Sequence, residues 1–123
     1  MFQEGNAEEA LNFYTSVIPD SRIEAMERYD ASGPGPEGTV FRATFSVAGQ
    51  TVLCTDSFVK HDFSFTPSFS FFVECASEAQ QSELVARLAE GGSLLMPLDS
   101  YGFSRRFAWV ADRFGVSWQL NLA

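Results

Sequence analysis

The same run of signals occurs twice within 123 residues, and this repeat constrains the fold more than any other feature of the chain. Each run is a capped helix followed by three strands. In the first, Asn6 suits an N-cap, and Glu9 at the third helical position can reach back to close a capping box. Ala7, Ala10, Leu11, Tyr14, Val17 and Ile18 form a helical apolar stripe, and Pro19-Asp20 ends it. Ile23 to Tyr29 reads as a strand with Ile23, Ala25 and Tyr29 on one face. Ala31 to Gly38 is a Pro/Gly-rich loop. Thr39 to Val47 alternates, with Phe41, Ala43, Phe45 and Val47 on one face and Arg42, Thr44 and Ser46 on the other. Ala48-Gly49-Gln50 turns the chain into a strand over Thr51 to Thr55.

After an irregular stretch from Asp56 to Pro67, the pattern returns. Ser68 to Cys75 reads as a strand, with Phe69, Phe71 and Val73 on one face and Ser70, Phe72 and Glu74 on the other. Ser77 to Gln80 forms a second capping box. A helix follows to Glu90, buried at Leu84, Val85 and Leu88 and stopped by Gly91-Gly92. Strands are expected near Ser93 to Pro97, Arg105 to Ala111 and Val116 to Leu122.

The second run is thus β-α-β-β-β. The first lacks only an opening strand, for which Met1 to Gln3 supplies a stump. A repeat of this size implies two similar modules packed together, not a solenoid. The expected fold class is α+β: two paired βαβββ modules forming curved mixed sheets around a cup, with the first strand truncated. The chain reads as a single domain over 1–123, with modules of about 1–56 and 68–123 and a linker over 57–67. Each module has one helix to cover one sheet face, and the opposite face, polar and small, must meet something else.

The end of the chain shows what that face is made of. Asp112 to Gly115 carries turn chemistry, with Gly115 free to take positive φ. On the closing strand Trp118, Leu120 and Leu122 point one way, and Ser117, Gln119 and Asn121 the other. A solvent face normally carries Lys or Glu. Uncharged amides and hydroxyls suit a cavity wall that contacts a ligand.

Sixteen acidic and eight basic side chains give a formal charge of −8, which argues against nucleic acid and anionic membrane surfaces as partners. No apolar run approaches membrane-spanning length and no signal-peptide pattern opens the chain, so a cytoplasmic protein is expected. Cys54 and Cys75 sit in apolar context without a second Cys or His nearby, and read as reduced core residues. The thirteen Phe suit both packed sheets and apolar pocket walls. Phe-rich strands and a truncated edge leave surface that a homodimer would cover.

Three segments resemble the PhnB-like branch of the vicinal oxygen chelate superfamily, which includes glyoxalase I, extradiol dioxygenases and bleomycin- or fosfomycin-resistance proteins. They are Gly5-Asn-Ala-Glu-Glu-Ala-Leu-Asn-Phe-Tyr14, Phe63-Ser-Phe-Thr66, and Phe107 to Gln119 with Asp112-Arg-Phe-Gly-Val-Ser-Trp-Gln119 at its centre. The resemblance covers nearly the whole chain and implies the paired-module fold. It also implies a place for a divalent metal, held by His or Glu on the inner strands. The opening ligand position falls before Met1, its counterpart in the second module near Ser68, another close to Cys54, and the closing one at Gln119. Ser and a neutral amide are poor ligands for Zn²⁺, Ni²⁺ or Fe²⁺. No catalytic metal and no other cofactor is therefore expected, with a divalent metal as the alternative. Some members of the branch carry the label of a ubiquinone methyltransferase. This sequence has no Gly-rich strand-to-helix turn for a nucleoside cofactor, so methyl transfer is not expected.

Strand alternation places Arg42, Ser70, Phe72 and Gln119 opposite the apolar row of their own strands, and Trp109 is added as a flat wall. These five form the expected ligand cavity, with Arg42 selecting an anion. Arg105 and Arg106 are adjacent, so only one can point inward. Glu74 shares a polar strand face, with a surface role as its ordinary reading. His61, the one imidazole, is either a solvated loop residue or a general base. Three functions compete: metal-free binding of a small organic ligand, which is favoured; a metal-dependent lyase, isomerase or dioxygenase with non-standard ligands; and a dimeric structural or regulatory module whose cup is filled by its own Phe side chains.

Overall fold

The computed structural model describes all residues, 1–123. The chain divides into two compact units, Met1–Ser64 and Phe65–Ala123.

The first unit contains α1 (Ala7–Val17), β1 (Arg22–Arg28), β2 (Val40–Val47) and β3 (Gln50–Cys54). The strands form an antiparallel sheet in the order β1-β2-β3. Phe2 makes an isolated parallel bridge to Asp56 just beyond β3, which is the stump expected of Met1 to Gln3. The expected stripe buries Ala7, Ala10, Leu11, Tyr14 and Ile18. The cap differs. Asn6 makes no side-chain cap bond. The Ala7 N–H donates instead to Asp56 Oδ1 at 3.0 Å, while Asp56 Oδ2 accepts from the Val40 N–H at 2.8 Å. A carboxylate carries a full negative charge to the positive end of the helix, an advantage the neutral Asn amide lacks.

Strand alternation also breaks once. Phe41, expected in the buried row, is 48 % exposed, and Val40 takes its place in the core. The register explains it: Arg28 pairs with Val40 and Glu27 with Arg42, so Phe41 is the extra residue of a β-bulge. Its ring meets Tyr29 edge-on at 5.5 Å. Between β2 and β3, Ala48 (φ 51°) and Gly49 (φ 81°) are both left-handed, as a two-residue hairpin turn of the primed type requires.

The second unit contains β4 (Phe71–Glu74), α2 (Glu78–Ala89), β5 (Ser93–Tyr101), β6 (Ser104–Ala111) and β7 (Ser117–Leu122). The sheet order is β4-β7-β6-β5, with β4 parallel to β7 and the other pairs antiparallel. Strand β4 is shorter than the expected Ser68 to Cys75: it starts where Phe71 finds its partner Trp118, and Phe69 is exposed. Strand β5 runs past Pro97 to Tyr101. A proline fits there because β5 is an edge, with one side unpaired.

The second cap forms. Ser77 Oγ accepts from the Gln80 N–H at 3.1 Å, and Gln80 Oε1 reaches back one residue further than expected, to the Ala76 N–H at 2.7 Å. Helix α2 buries Gln81, Leu84, Val85 and Leu88. Beneath it lie Val73, Ala108, Val110, Trp118, Leu120 and Leu122. Gln81 Nε2 donates to the Arg106 and Leu120 carbonyls, both at 3.0 Å, which ties the helix to β6 and β7. The β6–β7 turn is the one expected at Asp112 to Gly115, with Gly115 at φ 93°. Both cysteines are free thiols.

Candidate functional site

The polar face of the four-stranded sheet carries four of the five expected site residues. Pairing sets their order. Phe72 lies opposite Gln119, and Gln119 lies opposite Trp109, so the amide sits between two aromatic side chains in one row across β4, β7 and β6. Directly paired residues in a sheet keep their Cβ atoms about 4.5–5.5 Å apart, close enough for the three side chains to present one surface. Trp109 is on this face and not under α2, because its partner is Gln119 while Trp118 pairs with Val110 on the helix side. Phe72 is 54 % exposed, whereas Trp109 and Gln119 are half-buried.

One end of the row is locked by a hydrogen-bonded chain. The Trp109 Nε1–H donates to Ser117 Oγ at 2.8 Å, and Ser117 Oγ lies 2.6 Å from Ser70 Oγ. Ser117 is 2 % exposed, so this hydroxyl is a structural pin that orients the indole. At the other end Asn121 Nδ2 donates to both Glu74 carboxylate oxygens, at 3.0 and 3.3 Å, and Ser104 Oγ donates to Asn121 Oδ1. Glu74 is thereby held in a surface strip. None of these bonds involves Gln119. Ser117 is the residue that strand reading left out of the site. It belonged to the polar row of its strand, but its bonds to Ser70 and Trp109 depend on tertiary pairing.

Arg42 belongs to the three-stranded sheet of the other unit. It is exposed, and its guanidinium pairs with Glu27 Oε1 at 3.0 Å. Arg106 turns to the helix side, donating to the Glu78 carbonyl and to Ser82 Oγ, each at 2.9 Å, and Arg105 is exposed. His61 is exposed, stacked on Phe63 at 4.8 Å, with Nε2 at 3.3 Å from Ser57 Oγ. Ser68 lies in a turn, 2.6 Å from Thr66 Oγ1.

A divalent metal does not fit these side chains. No three His, Cys, Asp or Glu groups are gathered as a metal site requires. Gln119 offers a neutral amide, and the hydroxyls of Ser70 and Ser117 bond to each other. The two thiols are not poised as ligands either: burial, the largest cause for both, pushes each up to about 11 against nearby positive charge, the N-terminal amine for Cys54 and Arg106 for Cys75.

Residues 1–121 match the family described as 3-demethylubiquinone-9 3-methyltransferase. A solved PhnB protein of Bacillus cereus bearing the same methyltransferase description is 51 % identical, with a TM-score of 0.93 over 100 % of this chain and 95 % of that one. Protein PA1353 of Pseudomonas aeruginosa is 28 % identical, with a TM-score of 0.81 over 98 % and 91 % of the two chains. Among curated proteins, YjdN of Escherichia coli is 20 % identical over 96 % of this chain and 88 % of its own. The fosfomycin resistance protein FosX of Listeria monocytogenes, 11 % identical with a TM-score of 0.63 over 100 % and 86 % of the two chains, shares the fold alone.

Proposed function

We propose that this chain, which belongs to the 3-demethylubiquinone-9 3-methyltransferase family and, within the vicinal oxygen chelate superfamily, to its PhnB-like branch, binds a small planar organic ligand without a catalytic metal. The observation that carries the reading is the row Phe72–Gln119–Trp109. Flat aromatic faces take up the apolar body of a ligand. An amide between them, engaged by none of its neighbours' bonds, can donate to and accept from polar groups on that ligand. Ser70 and Ser117 hold the indole in place.

Methyl transfer finds no support in the connection that would have to cradle a nucleoside cofactor. The β4-to-α2 link is Cys75-Ala76-Ser77, without glycine, and the Cys75 and Ala76 N–H groups are taken by the Asn121 carbonyl and Gln80 Oε1. Metal-dependent chemistry lacks the donor set described above.

The test is a thermal-shift screen of planar carboxylates, phenols and heteroaromatics. Each hit is then titrated into wild type, Gln119→Ala and Phe72→Ala. Losing the amide's hydrogen bonds costs about 0.5–1.5 kcal/mol, roughly two- to tenfold in affinity. Unchanged affinity in both Gln119→Ala and Phe72→Ala would place the ligand elsewhere. Elemental analysis showing stoichiometric Zn, Ni, Mn or Fe, lost on Gln119→Ala, would overturn the metal-free reading.

A further inference from the structure

The first unit holds a cavity of about 460 Å³ that no strand of the four-stranded sheet lines. Its size is within the roughly 300–1,000 Å³ typical of small-molecule sites. Three stretches build it: Gln3 to Gly5, the Pro36 and Thr39 region, and Asp56 to Lys60.

Most of its polar groups are already committed. Asp56 is 3 % exposed, and its two carboxylate oxygens accept from Ala7 and Val40. The Gln3 amide is used at both ends: its oxygen accepts from the His61 N–H, and its nitrogen donates to the Phe63 carbonyl, each at 2.7 Å. The Thr39 hydroxyl donates to the Pro36 carbonyl at 2.7 Å, which leaves it only acceptor lone pairs, and the Ser57 hydroxyl is used fully: it donates to the Val59 carbonyl at 2.7 Å, accepts from the Val59 N–H at 3.2 Å and meets His61 Nε2 at 3.3 Å. The apolar wall is Phe58, Val59 and Pro36, with Phe58 set edge-on against the buried Tyr29 at 6.1 Å.

Two charges remain, both at the mouth. Glu4 and Lys60 form an ion pair, with side chains 69 % and 72 % exposed. An exposed pair contributes little to stability, so a ligand that offers both charges can replace it at small cost. Each charge is also held in position. Glu4 follows the doubly bonded Gln3 and precedes Gly5 in the left-handed region at φ 68°. Lys60 precedes His61, whose N–H is bonded to Gln3.

We infer that this cavity is a site for a small zwitterion of the α-amino-acid class with an apolar side chain. The ligand ammonium meets Glu4, with the Thr39 oxygen as a further acceptor. The carboxylate meets Lys60, and the side chain lies against Phe58, Val59 and Pro36. A ligand with one charge satisfies only one of the two residues and forfeits the other charge-assisted bond.

The probe is L-leucine, titrated into the full chain and followed by amide NMR, with 3-methylbutylamine and 4-methylpentanoate as singly charged analogues. Leucine is expected to move the amides of Gly5, Phe58, Val59 and Lys60, and each analogue to bind about tenfold more weakly. Glu4→Gln and Lys60→Gln each weaken leucine similarly. The double exchange Glu4→Lys with Lys60→Glu keeps one charge of each sign and retains binding. Three results overturn the proposal: no movement of those amides at millimolar leucine, analogues that bind as well as leucine, or movement at Phe72, Trp109 and Gln119 instead. The site shares no residue with the aromatic row, so the two readings stand or fall separately.

Discussion

Asp56 Oδ1 accepts the Ala7 N–H at 3.0 Å, joining the residue beyond the last strand of the first unit to the first turn of its helix. The same carboxylate accepts from Val40 at 2.8 Å, so one buried side chain ties helix, sheet and connection together. Asp56→Ala leaves two buried N–H donors without partners and should destabilise by about 2–4 kcal/mol. Asn6→Ala removes no cap bond and should fall within about 0.5 kcal/mol of wild type. Chemical denaturation of the two variants checks this. Equal losses would show that Asn6 caps the helix in solution.

The thiols give a pH dependence whose sign follows from their burial. Desolvation is the largest cause in both. For Cys54 the N-terminal amine opposes it and Asp56 adds to it; for Cys75, Glu74 adds and Arg106 opposes. Both are pushed from 9.0 to about 11. Below the ordinary thiol value both states hold their protons, and the thiols contribute nothing to the slope. Between about pH 9 and 11 the unfolded chain releases protons that the folded chain keeps, so stability falls as pH rises. Urea midpoints measured across that window should fall more steeply for wild type than for Cys54→Ala with Cys75→Ala. The folded protein should also react slowly with a disulfide reagent below pH 9 and quickly once urea is added.

How much of this was legible beforehand depended on whether the deciding contact was local. Two helices, seven strands and the module repeat follow from periodicity, caps and turn residues, all read within a few positions of each other. The Ser77 cap and the Gly115 turn formed as expected for that reason. The Asn6 cap failed because its rival, Asp56, stands far away in the chain. Phe41 left the buried row because a bulge between β1 and β2 shifts pairing by one, and alternation along a single strand carries no trace of its partner's register. In the site, parity placed Ser70, Phe72 and Gln119 on one face. Pairing alone showed that Trp109 joins them and that Ser117 pins it. The cavity at Glu4 and Lys60 had no sequence signal, because the Pro/Gly-rich loop that helps build it has no period to read.

Association of two copies would cover surface that the single chain leaves bare. Phe69 is 71 % exposed and Phe103 69 %, and Leu94 and Leu95 are exposed on the edge strand β5. The Phe103 ring is held in place, stacked on Tyr101 at 5.8 Å and edge-on to Phe107 at 4.9 Å. A rigid exposed aromatic costs little entropy to bury, and an unpaired edge of this length invites pairing. Light scattering at micromolar concentration should give twice the 13.6 kDa chain mass. Leu94→Lys with Phe103→Asp should shift it to the monomer without unfolding, as read by circular dichroism. A wild-type monomer at that concentration would defeat the prediction.

The Trp109–Ser117 bond links stability to the proposed binding surface. The indole N–H donates to Ser117 Oγ at 2.8 Å, and that oxygen lies 2.6 Å from Ser70 Oγ, all within a half-buried strip of the sheet. Ser117→Ala removes the central oxygen and leaves the indole donor and the Ser70 hydroxyl to find water or go unsatisfied. The expected cost is about 1–2 kcal/mol of stability. Ser70→Ala spares the bond to the indole and should cost less. The two variants also separate in tryptophan fluorescence. In Ser117→Ala the Trp109 ring loses its anchor, and its emission should shift, whereas Trp118 keeps its 2.9 Å bond to Asp112 Oδ2 and should not change. Trp109→Phe identifies which emission belongs to which ring. If Ser117→Ala moves neither the emission nor the affinity of a ligand that Gln119→Ala weakens, the indole is positioned by packing alone and the hydroxyl chain has no part in shaping the surface.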